Sequence, residues 1–200
     1  FSILSVHSGQ EHIHFPSSED VKFARLLAHD FNYVYYGHHP HVIQGYERLN
    51  GSAIFYSLGN FIFDDVYTPR DLNKPLIALS EANKTGLIAE LEIKEGHLSD
   101  CTLTHIYMGK NQMLVGHEVS KDDQEEYNSY LSDAGSDQYD MKRSAQISKY
   151  ISKRKEMRDL TWYLKRLNFN SVGILIKARK NSKLYRKHFL SRIGSFENNQ

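Results

Sequence analysis

Three imidazoles fall within four residues at His38-His39-Pro40-His41, directly behind Gly37 and the apolar run Tyr33-Val34-Tyr35-Tyr36. Clustered histidines are metal-ligand chemistry, since each neutral ring offers a lone pair suited to Zn²⁺, Mn²⁺ or Fe. The proline between His39 and His41 fixes φ and stiffens the loop, so donors held there lose less entropy on binding. The plainer alternative is three exposed, titrating histidines, or one packed against the neighbouring aromatics. A second loop, His7-Ser8-Gly9-Gln10-Glu11, contributes His7 and Glu11 as candidates, while His12 and His14 read as ordinary loop residues. In Tyr56-Ser57-Leu58-Gly59-Asn60, the asparagine could orient a metal-bound water or simply turn the chain. Asp64 and Asp65 read as solvated loop acids.

Two strands must present these side chains. Residues 3–6 form a buried strand that ends at His7. Pro16-Ser17-Ser18-Glu19-Asp20 starts a helix, with serine as N-cap and acids in the first turn. Phe23, Leu26 and Leu27, with Ala24 and Ala28, make its apolar face, and Asn32 punctuates its end. Residues 33–36 are a second strand. A strand–helix–strand unit of this length is a βαβ crossover, so the strands run parallel and end on one sheet edge. That sets His7 beside residues 38–41. Gly37 is expected to let the chain turn at the strand end.

Further on, Asn50-Gly51 signals a type I′ hairpin between strands over 42–49 and 53–58. Phe61 and Phe63 are expected in the core, and 67–75 is a loop. Strands over 76–79, 86–93, 97–107 and 113–115 form a meander. His97, His105 and His117 stand isolated there, with no role. Helices follow over 121–131, 141–167, 171–178 and 182–193. The long one carries an apolar stripe of Ile147, Tyr150, Ile151, Met157, Leu160, Tyr163, Leu164 and Leu167.

The chain has 200 residues, 40% of them apolar, enough for a real core. Its single cysteine, Cys101, excludes an internal disulfide and a cysteine-rich zinc site. No apolar run is long enough for a spanning helix. The net charge of +1 hides an acidic stretch to about residue 141 and a strongly basic remainder. The helical character that begins at 119 divides the chain into 1–118, which holds ten of the eleven histidines, and 119–200, a basic helical appendage. The basic helices, with Trp162 and Tyr163, suit solvated faces, an anionic membrane surface or a polyanionic substrate. Nucleic acid is disfavoured, because no reading motif accompanies the charge. The opening Phe1 reads as part of a strand already under way, so the chain is expected to be the C-terminal portion of a longer protein. Any targeting signal, to the cell envelope or a membrane, is expected upstream.

The three motifs around His7, Gly37–His41 and Tyr56–Phe63 together resemble the CapA-type capsule-synthesis proteins, a branch of the calcineurin-like metallophosphatases. The resemblance covers roughly residues 1–110. It implies an α/β fold, a four-layer αββα sandwich with a two-metal site (Mn, Fe or Zn) between its sheets. It implies His7, His41 and either His39 or His38 as ligands, His39 being preferred for its spacing to His41, with Asn60 and Glu11 close by. Ser8 stands where the family usually has an aromatic. The early half of such a domain, with its aspartate strand end and Asn-His pair, is expected to be missing, so this segment alone should bind metal weakly and hydrolyse little. The function implied is metal-dependent hydrolysis of a phosphoester or related bond during synthesis or export of an anionic capsule polymer such as poly-γ-glutamate. The alternative is a non-enzymatic polymer-handling or assembly subunit that keeps the fold.

Overall fold

The computed structural model describes residues 1–67, 73, 75, 77–109, 112–156, 173–174, 176–184 and 187–188. The chain divides into two compact units, Phe1–Tyr150 and Ile151–Gln200. The fold of the first is mixed α/β.

Strand β1 (Ser2–His7) and strand β2 (Tyr33–His38) flank helix α1 (Ser18–Asp30). β1 and β2 pair in parallel, with His7 opposite His38. The βαβ expectation is met because α1 begins and ends as the sequence demands. Ser17 caps it, its side chain accepting from the Asp20 N–H. The C-terminal punctuation differs from expectation: Phe31, in extended conformation, is the C-cap and donates to the Leu27 carbonyl, so Asn32 is not needed there. The packed face differs too. Val21, Ala24 and Ala28 are buried, while Phe23 and Leu26 are 48% and 64% exposed. Small residues let the helix sit close on the sheet, and the two larger ones fall outside that contact.

The hairpin forms from β3 (Tyr46–Leu49) and β4 (Ser52–Phe55). Asn50 and Gly51 both have positive φ, at 50° and 79°, as a type I′ turn requires. β4 also pairs in parallel with β2, giving the order β1-β2-β4-β3. A short helix, α2 (Glu81–Lys84), precedes an antiparallel three-stranded sheet of β5 (Thr85–Lys94), β6 (His97–Gly109) and β7 (Gln112–Glu118). The strand expected over 76–79 reduces, among described residues, to a single bridge between Ile77 and Val66.

One core lies between α1 and the first sheet, built from Val21, Ala24, Ala28, Tyr33, Tyr35, Ile54 and Tyr56. The second lies between the two sheets and joins Val34, Ala53 and Phe55 to Leu87, Leu98 and Leu103. Alternation along β2 sends Val34 to one core and Tyr33 and Tyr35 to the other. The layering is therefore helix, sheet, sheet. Phe61 and Phe63 are not core residues: they stand 53% and 39% exposed.

Helix α3 (Lys121–Ser129) starts with a full capping box between Ser120 and Asp123, as its sequence signals. Helix α4 (Asp137–Glu156) begins earlier than the expected 141. Tyr139 is fully buried and donates its hydroxyl to the Pro16 carbonyl at 2.8 Å, so α4 leans on the loop after β1. The first unit thus takes in α3 and the first part of α4. In the second unit, residues 173–174, 176–184 and 187–188 are helical. Met157, Leu160, Trp162, Tyr163, Leu164 and Leu167 lie outside the described residues. No described helix is long and apolar enough to cross a membrane.

Candidate metal centre

Parallel pairing of β1 and β2 brings their carboxyl ends to one sheet edge, where His7 and His38 are partners. Their Nδ1 atoms approach to 3.0 Å. The His7 ring also lies 4.4 Å from that of His39, and His39 lies 6.0 Å from His41. The edge therefore gathers His7, His38 and His39, with His41 one step further out.

Gly37 acts differently from expectation. It lies within β2, not at a left-handed turn. A Cβ there would meet the Tyr56 carbonyl oxygen at 2.1 Å, so glycine is required by close approach of backbone to backbone. The unusual backbone lies in the histidines themselves. His39 has φ 110°, His41 58° and His12 62°. Such conformations cost roughly 1–3 kcal/mol each and persist where surrounding structure enforces them, often at functional sites. Here the His12 N–H donates to the Pro40 carbonyl at 2.8 Å, tying the two histidine loops together.

Hydrogen bonding fixes the protonation of two rings. The Asn60 amide nitrogen donates to the Asn83 carbonyl at 2.8 Å, which can only accept. Its oxygen, Oδ1, therefore faces His41 Nδ1 at 2.8 Å, and that nitrogen carries the proton. His41 Nε2 is left with the lone pair. By the same reasoning Asn83 Nδ2, which donates to the His41 carbonyl, also donates to His12 Nδ1 at 2.8 Å. His12 is thus protonated on Nε2, and its Nδ1 lone pair is used. Asn60 and Asn83 are both buried, at 7% and 4% exposure, so these bonds are well defined.

His38 has both ring nitrogens engaged, by His7 and by Ser5 Oγ at 3.1 Å. Burial first, then the neighbouring His7, His39 and His41, pushes its pKa below the ordinary histidine value. A neutral ring suits metal binding, because protonation would consume the lone pair. Full engagement of His38 nonetheless favours His39 as the partner of His7 and His41.

The four imidazoles do not bring three donor atoms within 4.8 Å of one another. Among the described residues, the one set that does is His105, His117 and Asp123. Glu11 is half-buried in the loop after β1. Asp65 accepts from the Leu79 N–H at 2.7 Å, a structural use. His14 likewise bonds the Ile43 carbonyl and stacks on Tyr130. Sequence reasoning missed Asn83 and His12. The first sits 23 positions from Asn60 in a four-residue helix, and reaches the site because Gly59 and Gly86 pair across the two sheets. His12 was visible only as one more loop histidine.

Comparison with known proteins bears on residues 1–65, which match the family model of the bacterial capsule synthesis protein PGA_cap. The PGA biosynthesis protein CapA of Bacillus subtilis is 41% identical over 66 residues, 33% of this chain and 17% of that protein. The capsule biosynthesis protein CapA of Bacillus anthracis is 36% identical over 66 residues, 33% of this chain and 16% of that protein. An uncharacterized protein of Sinorhizobium fredii is 43% identical over 54 residues, 27% of this chain and 12% of that protein. The chain thus spans less than a fifth of the length of these relatives.

Proposed function

We propose, on the premise that residues 1–65 are of the CapA capsule-synthesis type, that this chain carries the histidine face of a metal-dependent phosphoesterase-like site in a protein that makes or exports an anionic polymer resembling poly-γ-glutamate. The observation that carries the reading is the pairing of β1 and β2. It pairs His7 with His38 and leaves the His7 ring 4.4 Å from that of His39, while Asn60 holds His41 in the tautomer whose Nε2 can accept a cation. The helix–sheet–sheet layering supports assignment to an αββα metallophosphatase-like sandwich.

The donor set fits one divalent cation of the Zn, Mn or Fe kind better than two. Three neutral imidazoles bring no negative charge to balance a pair of dications. His7, His39 and His41 would hold the ion, and His38 would orient His7 through their Nδ1 contact. When bound, such an ion supplies Lewis-acid polarisation of a phosphoryl oxygen and a more acidic water. The chain's own contribution is positioning. Asn60 keeps the His41 proton on Nδ1, and Asn83 locks Asn60 and the His12 loop together. The positive-φ backbone at His39 and His41 takes the chain out of strand geometry just past β2, and the two rings lie 6.0 Å apart at the sheet edge.

Metal analysis and phosphodiester turnover test this on the full-length protein that carries this chain and on its His41→Ala variant. Bound Mn, Fe or Zn that falls with His41→Ala, together with turnover lost in that variant, supports the reading. A second reading, a non-enzymatic polymer-handling subunit, draws on the failure of the four imidazoles to converge. It is supported instead by metal-free protein that binds poly-γ-glutamate in a salt-dependent way.

A further inference from the structure

The second sheet carries its own constellation. His105 lies on β6 and His117 on β7. Regular antiparallel pairing is interrupted between them: Thr104 pairs with Glu118, but Ile106 pairs with Val115. One residue on β6, His105, therefore faces two on β7, Gly116 and His117. Such a bulge re-aims a side chain. Here it brings the His117 ring to 5.0 Å from that of His105. Gly116 makes room, since a Cβ there would come within 3.3 Å of the His105 Cβ.

Helix α3 supplies the rest. Asp123 and Tyr127 are four residues apart and share a helix face. Asp123 Oδ2 lies 3.9 Å from His117 Nε2, and the Tyr127 hydroxyl lies 2.9 Å from His105 Nε2. Ring nitrogens of both histidines and a carboxylate oxygen of Asp123 fall within 4.8 Å of one another. Most tellingly, His105 Nδ1 is shut off from solvent and has no hydrogen-bond partner. A buried nitrogen left bare in this way calls for a ligand. With Tyr127 holding Nε2, the arrangement is that of a metal-binding histidine whose other nitrogen is oriented by a neighbour.

We propose that His105, His117 and Asp123 form a second, separate site for a divalent transition cation of the zinc class, a clip that ties the β6–β7 hairpin to the start of α3. Two imidazoles and one carboxylate are zinc donors, and three protein ligands leave a fourth position for water. The donors must close to roughly 3.4 Å apart for Zn–N bonds of about 2.0–2.1 Å. His117 can supply that movement, because its side chain is 78% exposed. The positive end of α3 opposes a cation. The Asp123 carboxylate offsets it, and its bonds from the Ser120 N–H and hydroxyl keep it ionised. The proposal does not depend on the capsule-type reading, since these residues lie outside 1–65.

The test uses the full chain in a His7→Ala/His39→Ala/His41→Ala background, which removes the three ligands assigned to the first cluster. Co²⁺ is titrated and followed by its visible absorption, with Zn²⁺ competition by calorimetry. The expected result is one saturable equivalent, weakened at least tenfold by His117→Ala and about tenfold by Tyr127→Phe. His117→Ala is decisive because so exposed a side chain can be removed without disturbing the fold. No saturable equivalent, or equal affinity in His117→Ala, overturns the proposal.

Discussion

At the scale of single residues, the site at the β1–β2 edge is controlled by amides as much as by imidazoles. Asn60 decides which nitrogen of His41 is protonated, and Asn83 decides which way Asn60 faces. Asn60→Ala should therefore weaken metal binding about 10–100-fold, the usual cost of losing a partner that orients a ligand. Calorimetric titration of Mn²⁺ or Zn²⁺ checks it, and an unchanged affinity would show that Asn60 is only a turn residue. Asn60→Asp makes the complementary case. An anion beside His41 Nδ1–H should raise the pKa of that ring, detectable in its NMR pH titration. The histidines were legible in the sequence because they are crowded together. Asn83 was not, since nothing in Glu81-Ala82-Asn83-Lys84 distinguishes a site residue from a helix-turn residue until the sheets are packed.

Elements were legible wherever local chemistry and tertiary packing agree. A serine of Ser17-Ser18 and Ser120 read as N-caps, and Ser17 and Ser120 are N-caps, because the first turn of a helix leaves N–H groups without intrahelical partners. Asn50-Gly51 read as a hairpin and is one, because few other pairs tolerate two positive φ angles. The face of α1 was legible in part: Ala24, Ala28 and Leu27 meet the core as expected, but hydrophobicity favours Phe23 and Leu26 where the close helix–sheet approach selects Val21. The partnership of His105 and His117 failed for another reason: it depends on a bulge, and alternation along a strand gives no sign of where register slips. Gly37 shows the same limit, being required by the Tyr56 carbonyl just past the end of β4. Gly37→Ala should force β2 and β4 apart and destabilise the chain by about 1–3 kcal/mol or more. Urea unfolding measures this. A variant as stable as the parent would mean that the β2–β4 spacing can yield, and that Gly37 does not fix the histidine edge.

Across the whole first unit, the cores are notable for the tyrosines that they bury. Burial pushes the Tyr33, Tyr46 and Tyr127 hydroxyls up to about 12, and those of Tyr35, Tyr56 and Tyr139 higher still. Tyr56 is further held neutral by donating to Glu47, which Arg25 grips through two bonds of 2.9 and 3.0 Å. These six lie in both cores and in the contacts of α3 and α4, so they report on the unit as a whole. In the unfolded chain a phenol ionises near pH 10. The folded pKa values are raised, so the stabilising contribution is complete below about pH 10 and is lost as pH rises toward 12 and beyond. The urea midpoint should therefore drop steeply above about pH 10, and the drop should be shallower in Tyr33→Phe. That variant removes one titrating group, although it also forfeits the hydroxyl's 2.7 Å bond to the Ala24 carbonyl. Circular dichroism and tyrosinate absorbance, followed together, check the assignment. The absorbance of these six should rise only with loss of structure. If all thirteen tyrosines ionise near pH 10 while the fold persists, the two cores are wetter than their burial indicates, and the histidine edge that rests on them is less rigid than its backbone geometry requires.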